Sequence, residues 1–294
     1  MGSPAAAIRV SLCNVLLATD FSASAEMTAA HAVRLCRRYG ATLYTLTVVP
    51  QEITDYVQPP DPFHLRHVAG KKMTDFAASE RLQGVRHREL VKEGFVVDEI
   101  LGAIRNLDID LLVIGARGRG GIRKLVRGSL AEQIAGSVPC PVLTVGPQAW
   151  LESGPPAGLR EIVCATNLAY GSERALAWAV WMAEQEHARL TLLHVLSAPG
   201  GARPASPESE REPAARRLAE LLKDTASPAL QTELIVDTGA IAECILKAAA
   251  TRDAELIVMG ARSHTHAGIS AHLPGHVFYH VLSHARCPVL TVRD

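Results

Sequence analysis

No two of the six cysteines form a C-x-x-C pair: Cys13, Cys36, Cys140, Cys164, Cys244 and Cys287 are scattered, most of them inside apolar runs. A free thiol in such a run behaves as a small buried hydrophobe, so a disulfide framework is excluded and a reducing compartment fits. Net charge is also missing, with 30 basic against 30 acidic side chains. No global field therefore points toward nucleic acid or an anionic membrane surface, and neither is expected as a partner. Long apolar runs are absent as well. The opening stretch MGSPAAAIRVSLCNVLLATDF carries one Arg before a short apolar segment that stops at Asp20. That segment is too short to span a bilayer and reads as a buried strand, and nothing in it exports the chain, so a cytoplasmic protein is expected.

What is present is a repeat. The string CPVLTV occurs at 140–145 and again at 287–292, an offset of 287 − 140 = 147. Carried back, the same offset lays Ala18-Thr19-Asp20 on Ala165-Thr166-Asn167, Leu43 on Leu190, Val48 on Val195 and Gly128 on Gly275. Gly115 corresponds instead to Gly260, an offset of 145, so the second copy gains two residues between this landmark and Gly275. A chain of 294 residues has room for two domains that each bury a core. The repeat sets them at 8–147 and 159–294, joined by a linker rich in Gly and Pro.

Each copy alternates strand and helix patterns. In the first, strands are predicted at 13–19, 41–49, 85–91, 111–114 and 141–145, and helices at 22–38, 64–81, 97–107 and 129–137. Ser22 or Ser24 is the expected cap of the first helix, whose inward residues are Ala29, Ala32, Val33 and Leu35. The second copy has strands near 161–166, 190–196, 230–236, 255–259 and 288–292. Its long connection, 197–213, is dominated by Pro, Gly, Ser and Ala and precedes a helix at 214–224. Such alternation implies right-handed βαβ crossovers. The predicted fold class is α/β: two tandem doubly wound domains, each a five-stranded parallel sheet flanked by helices, Rossmann-like in plan.

The chemistry concentrates after the fourth strand. Ile114-Gly115-Ala116-Arg117-Gly118-Arg119-Gly120-Gly121 follows an apolar run directly, and Gly128-Ser129 opens the next helix. Glycines let backbone N–H groups approach anionic oxygens without a Cβ in the way, and a helix start adds unpaired N–H groups and the positive dipole end. Arg117, Arg119, Arg123, Lys124 and Arg127 would favour a polyphosphate, or else form a solvated face. In a doubly wound sheet the loops at the carboxyl ends of the strands flank the ligand crevice. Asp20 belongs on that rim, where a carboxylate can accept from ribose hydroxyls.

The spacing G-x-x-G, nine residues, G-S, carried by Gly115, Gly118, Gly128 and Ser129, resembles the ATP-binding signature of universal stress proteins, and the ATD ending at Asp20 resembles that family's first-strand terminus. The resemblance covers both halves and implies a tandem member with the adenine nucleotide alpha hydrolase-like fold, its domains paired through their last strands. It implies that ATP, with Mg2+, is held by the first domain: Val48 near the adenine, Asp20 on the ribose, and Gly115, Gly118, Gly128, Ser129 and the backbone of Leu130 on the phosphates. A homodimer of such chains is compatible with it.

The second half departs from this pattern. Asn167 replaces Asp20, Ser263 replaces Gly118, His276 replaces Ser129, and the loop is two residues longer. Asn supplies no anionic acceptor and Ser adds a Cβ, so weak or absent ATP binding is expected there. Six of the twelve histidines lie in this loop and its helix: His264, His266, His272, His276, His280 and His284. The spacing of four between His276, His280 and His284 suits transition-metal binding on one helical face, or simply a polar, pH-sensitive surface. Their counterparts Ser129, Gln133 and Ser137 are polar too.

No residue of the loop stands out as a general base, and the G-K-[ST] ending of a P-loop is missing. The expected function is thus a nucleotide-binding stress or regulatory protein with no catalytic residues and at most weak ATP hydrolysis. The alternatives are a slow ATPase and a nucleotide-independent scaffold or holdase.

Overall fold

A computed structural model describes residues 10–50, 62–116, 134, 137–149, 158–168, 172–196, 207–261 and 275–293. The chain divides into two units, one built on Leu12–Val145 and the other on Gly146–Leu151 with Pro156–Asp294.

In the first unit the apolar run ending at Ala18 forms β1 (Asn14–Ala18), whose central residues Val15, Leu16 and Leu17 are buried. Helix α1 (Ala23–Tyr39) follows and turns Ala29, Ala32, Val33 and Leu35 inward. It stops at Gly40, whose left-handed φ of 68° lets its N–H reach the Cys36 carbonyl. Strand β2 (Thr42–Pro50), helix α2 (Pro62–Ala77), strand β3 (Arg86–Gly94), helix α3 (Val96–Asn106) and strands β4 (Leu111–Gly115) and β5 (Val142–Val145) complete the unit. Ile134 and Ser137 are helical, and the rest of the helix predicted at 129–137 lies outside the described residues, apart from these two. The strands are parallel in the order β3-β2-β1-β4-β5. One face of this sheet packs Leu16, Leu46, Leu112 and Val142 against Ile100 and Ile104 of α3 and against Ile134 and Val138.

The second unit repeats the plan with β6 (Glu161–Ala165), α4 (Ser172–Glu186), β7 (Arg189–Leu196), α5 (Pro207–Thr225), β8 (Thr232–Thr238), α6 (Ile241–Thr251), β9 (Leu256–Ala261), α7 (Gly275–His284) and β10 (Val289–Arg293). Its parallel order is β8-β7-β6-β9-β10, the image of the first. Backbone details recur with the elements. Non-glycine residues with left-handed φ stand at Phe21 (55°) and Leu168 (57°), and at Asp108 (47°) and Asp253 (50°).

Several boundaries differ from the sequence reading: helix α2 stops at Ala77 rather than 81, and β8 is shifted to Thr232–Thr238 from 230–236. Strand β3 runs to Gly94 rather than 91, because it pairs with β2 along its whole length, ending at Pro50↔Gly94. Helix α5 begins at Pro207 rather than 214 and carries Pro213 inside it. A proline there forfeits one helical hydrogen bond, but residues 208–213 are all exposed, so water can serve the carbonyl it leaves behind. Glu208 and Glu210 in the first turn complement the helix dipole, and Ala214, Leu218 and Leu222, spaced by four, bury the stripe that anchors the helix.

Candidate functional site

Strand β1 has β2 on one side and β4 on the other, and the chain reaches them through crossovers on opposite faces of the sheet. In a doubly wound sheet such a reversal marks the carboxyl ends of these strands as the place where a ligand crevice is expected. The register fixes what stands on its rim. Ala18 pairs with Leu46 and Leu17 with Val113, and the Thr19 N–H extends the ladder to the Leu46 carbonyl at 2.9 Å. Asp20 follows the end of β1 by two residues, while β2 continues past Leu46 through Val48 to Pro50. Gly115 ends β4 opposite Val145, and the next residue, the buried Ala116, donates its N–H to the Val145 carbonyl at 2.9 Å.

The segment after β1 is held by its own side chains. Thr19 Oγ1 accepts the Phe21 N–H at 3.0 Å, and Asp20 Oδ1 accepts the Ser22 N–H at 2.9 Å. These bonds hold Phe21 in its left-handed conformation, which costs a non-glycine residue of order 1–2 kcal/mol. Ser22 occupies the N-cap position of α1, but its hydroxyl makes no capping bond, and its own N–H is taken by the Asp20 carboxylate two residues earlier. Phe21 packs on Phe76 of α2 with ring centroids 6.1 Å apart, and Phe76 meets the edge of His87 on β3 at 5.9 Å. His87 Nε2 lies 3.0 Å from Thr45 Oγ1, and burial lowers its pKa against a smaller raising effect of Glu89. This aromatic row was not read from the sequence, because its three members come from the segment after β1, from α2 and from β3.

Asp20, Val48 and Gly115 lie at or just past the carboxyl ends of the neighbouring strands β1, β2 and β4. Val48 is half-buried and leans on the α3 side of the core. Gly118, Gly128, Ser129 and Leu130, with Arg117, Arg119, Arg123, Lys124 and Arg127, lie outside the described residues.

The corresponding rim of the second unit keeps the backbone and changes the chemistry. Thr166 donates its N–H to Leu193 at 2.9 Å and accepts the Leu168 N–H at 3.1 Å, as Thr19 does with Leu46 and Phe21. Asn167 is exposed where Asp20 is half-buried. His194, aligned with Thr47, donates from Nδ1 to the Thr166 carbonyl at 2.9 Å, and Arg217 of α5 donates to the Leu168 carbonyl at 3.2 Å. Burial lowers the His194 pKa; the bond to Thr166 opposes that and Arg217 adds to it. The one sequence signal for this feature was a histidine inside the apolar run of β7.

Four of the six cysteines offer no thiolate nucleophile. Burial pushes Cys36, Cys140, Cys164 and Cys287 up to about 12, so these thiols stay protonated at neutral pH. Among the described residues no three His, Cys, Asp or Glu side chains converge as a metal site, and no helix is long and apolar enough to cross a membrane. His280 and His284 lie exposed on α7, while the side chain of His276 is outside the described residues.

The model of the universal stress protein family matches this chain twice, over residues 13–146 and 158–293. A universal stress protein of Thermus aquaticus is 32% identical over 135 residues, which is 45% of this chain and 96% of that one. One from Methanocaldococcus jannaschii is 26% identical over 141 residues, 45% of this chain and 80% of its own. The crystal structure of a universal stress protein from Archaeoglobus fulgidus matches the fold across both units, with a TM-score of 0.71 at 18% identity, covering 96% of each chain. A structure from Pseudomonas aeruginosa gives a TM-score of 0.65 at 17% identity, covering 96% of this chain and 93% of that one. Two matches in succession, each spanning one five-stranded unit, show that this chain belongs to the universal stress protein family and carries its domain twice in tandem.

Proposed function

We propose that the first domain binds ATP with Mg2+ and that the chain acts as a cytoplasmic nucleotide-binding stress or regulatory protein. The observation that carries the reading is that the strand order reverses between β1 and β4, with Asp20, Val48 and Gly115 at or just past the carboxyl ends of β1, β2 and β4. The residues fit the ligand in kind. Asp20 is a carboxylate oriented by its bond to the Ser22 N–H, suited to accept from a ribose. Gly115 presents backbone without a Cβ at the start of the loop that contains Gly118 and leads to Gly128, Ser129 and Leu130, the proposed phosphate contacts. Val48 offers an apolar wall for the adenine. Magnesium, a hard cation that takes oxygen ligands, would come with the phosphates.

The second domain is proposed to bind ATP weakly or not at all. Its rim exchanges Asp20 for the exposed Asn167 and sets His194 and Arg217 on the backbone carbonyls of Thr166 and Leu168.

Isothermal titration of nucleotide-stripped protein with ATP and Mg2+ tests both statements: one site per chain is expected. Two equal sites would overturn the asymmetry. No binding in folded protein would reduce the glycine loop to a turn and move the reading to a scaffold or holdase. Phosphate release over many turnovers would move it to a slow ATPase.

A further inference from the structure

We propose that His280 and His284 form an open two-imidazole site for a divalent transition metal, with Cu2+ bound more tightly than Ni2+ or Zn2+. Both rings are exposed on the last turn of α7, four residues apart, and they stack with centroids 4.4 Å apart and planes inclined by 20°. Their arrangement is specific about which atom is available. His284 Nδ1 lies 2.9 Å from the His280 carbonyl oxygen. A carbonyl only accepts, so Nδ1 carries the proton and donates, which leaves Nε2 of the neutral ring as the lone-pair nitrogen. A backbone carbonyl that fixes tautomer and ring orientation in this way is the usual support of a metal-ligating histidine.

Position and spacing favour a cation as well. The helix ends at His284, so the pair sits at the negative end of the α7 dipole. One dication shared by both rings satisfies the helix end. Metal–nitrogen bonds of about 2.0–2.1 Å place two adjacent nitrogen ligands ~3 Å apart, so with His284 held on its carbonyl the exposed ring of His280 turns out of the 4.4 Å stack to aim its in-plane lone pair at the same ion. Two protein nitrogens leave the remaining positions to water, and the affinity order follows the general ranking of first-row divalent ions. The site is separate from the nucleotide rim and does not depend on it.

Full-length protein freed of metal with a chelator is titrated with CuCl2 by calorimetry, and its Tm is read with and without the ion. His280→Ala and His284→Ala should each weaken binding about a hundredfold, since one ring of a pair confers no local concentration on the other. Either variant should abolish the Cu2+-induced rise in Tm, and His276→Ala should leave both readings unchanged. Both key positions are exposed, so the variants fold. Three results overturn the proposal: no copper binding by the parent, less than a threefold change in either single variant, or a loss that follows His276→Ala instead.

Discussion

Asp110 and Asn14 bind each other twice across β4 and β1: the Asn14 N–H donates to Asp110 Oδ2 at 2.8 Å, and the Asp110 N–H donates to the Asn14 carbonyl at 2.9 Å. The same carboxylate also accepts the Cys13 N–H at 2.7 Å. Glu255 repeats the device in the second unit, accepting from Glu161 and Arg160 through Oε2 and donating its N–H to the Glu161 carbonyl at 3.0 Å. Both bonds close the ends of the two central strands opposite the crevice, so the strand pair that shapes the rim is pinned from below.

Asp110→Ala should therefore destabilise the first unit by about 2 kcal/mol, the value of losing a charged acceptor shared by two partly exposed N–H groups. Glu255→Ala should do the same to the second unit. Urea unfolding followed by circular dichroism measures both. Loss of less than about 0.5 kcal/mol would show that water replaces the carboxylate without cost.

The repeat also exposes an avoidable strain. After α1 the chain turns at Gly40 with φ 68°, whereas the matching position after α4 is His187, exposed and held at φ 56°. His187→Gly should stabilise the second unit by about 0.5–1 kcal/mol, the left-handed penalty removed less the entropy that glycine adds to the unfolded chain. A lower urea midpoint in the variant would contradict this.

His31 gives a pH dependence of stated sign. It is buried on α1, and burial, with the Arg34 guanidinium adding to it, lowers its pKa from 6.5 to about 4. Above 6.5 both native and unfolded chains hold the ring neutral. Between the two values the unfolded chain takes up a proton that the native chain refuses, so stability falls as pH drops through this window and levels off below it. The full loss is about 3 kcal/mol at 1.36 kcal/mol per unit. His31→Phe should flatten the fall in unfolding free energy between pH 7 and pH 4.5. An unchanged slope would assign acid sensitivity to other groups, such as His87 and His194, whose pKa values are also lowered.

The fold was legible because buried parallel strands read as unbroken apolar runs, as in Leu111–Gly115, and because the repeat let each half check the other. Where reading failed, the cause was tertiary. Pro213 reads as the end of the connection, yet α5 runs through it because exposure makes the missing bond cheap and a buried stripe anchors the helix beyond it. The rim at Asp20 and Gly115 was legible from strand ends and glycines. His194 and Arg217 were not, since each meets the second rim through a backbone carbonyl, and no spacing in the sequence encodes that contact.

The two rims provide their own control for the nucleotide reading. Asp20→Asn gives the first rim the second rim's side chain at an otherwise matched backbone, since Phe21 and Leu168 share the same left-handed turn. A hydrogen bond to a charged acceptor contributes about 1.5–3 kcal/mol, so ATP affinity should fall roughly tenfold to a hundredfold while the fold persists. Gly118→Val should abolish binding by setting a β-branched side chain in the phosphate space. Gly260→Val should matter far less, because a Cβ on Gly260 meets no atom within 4 Å and no phosphate is expected beside it. Asn167→Asp alone should not create a second site, since Ser263 and the longer loop remain. Titration of the four variants with ATP and Mg2+ decides the matter: equal losses from Gly118→Val and Gly260→Val would mean that both domains hold nucleotide.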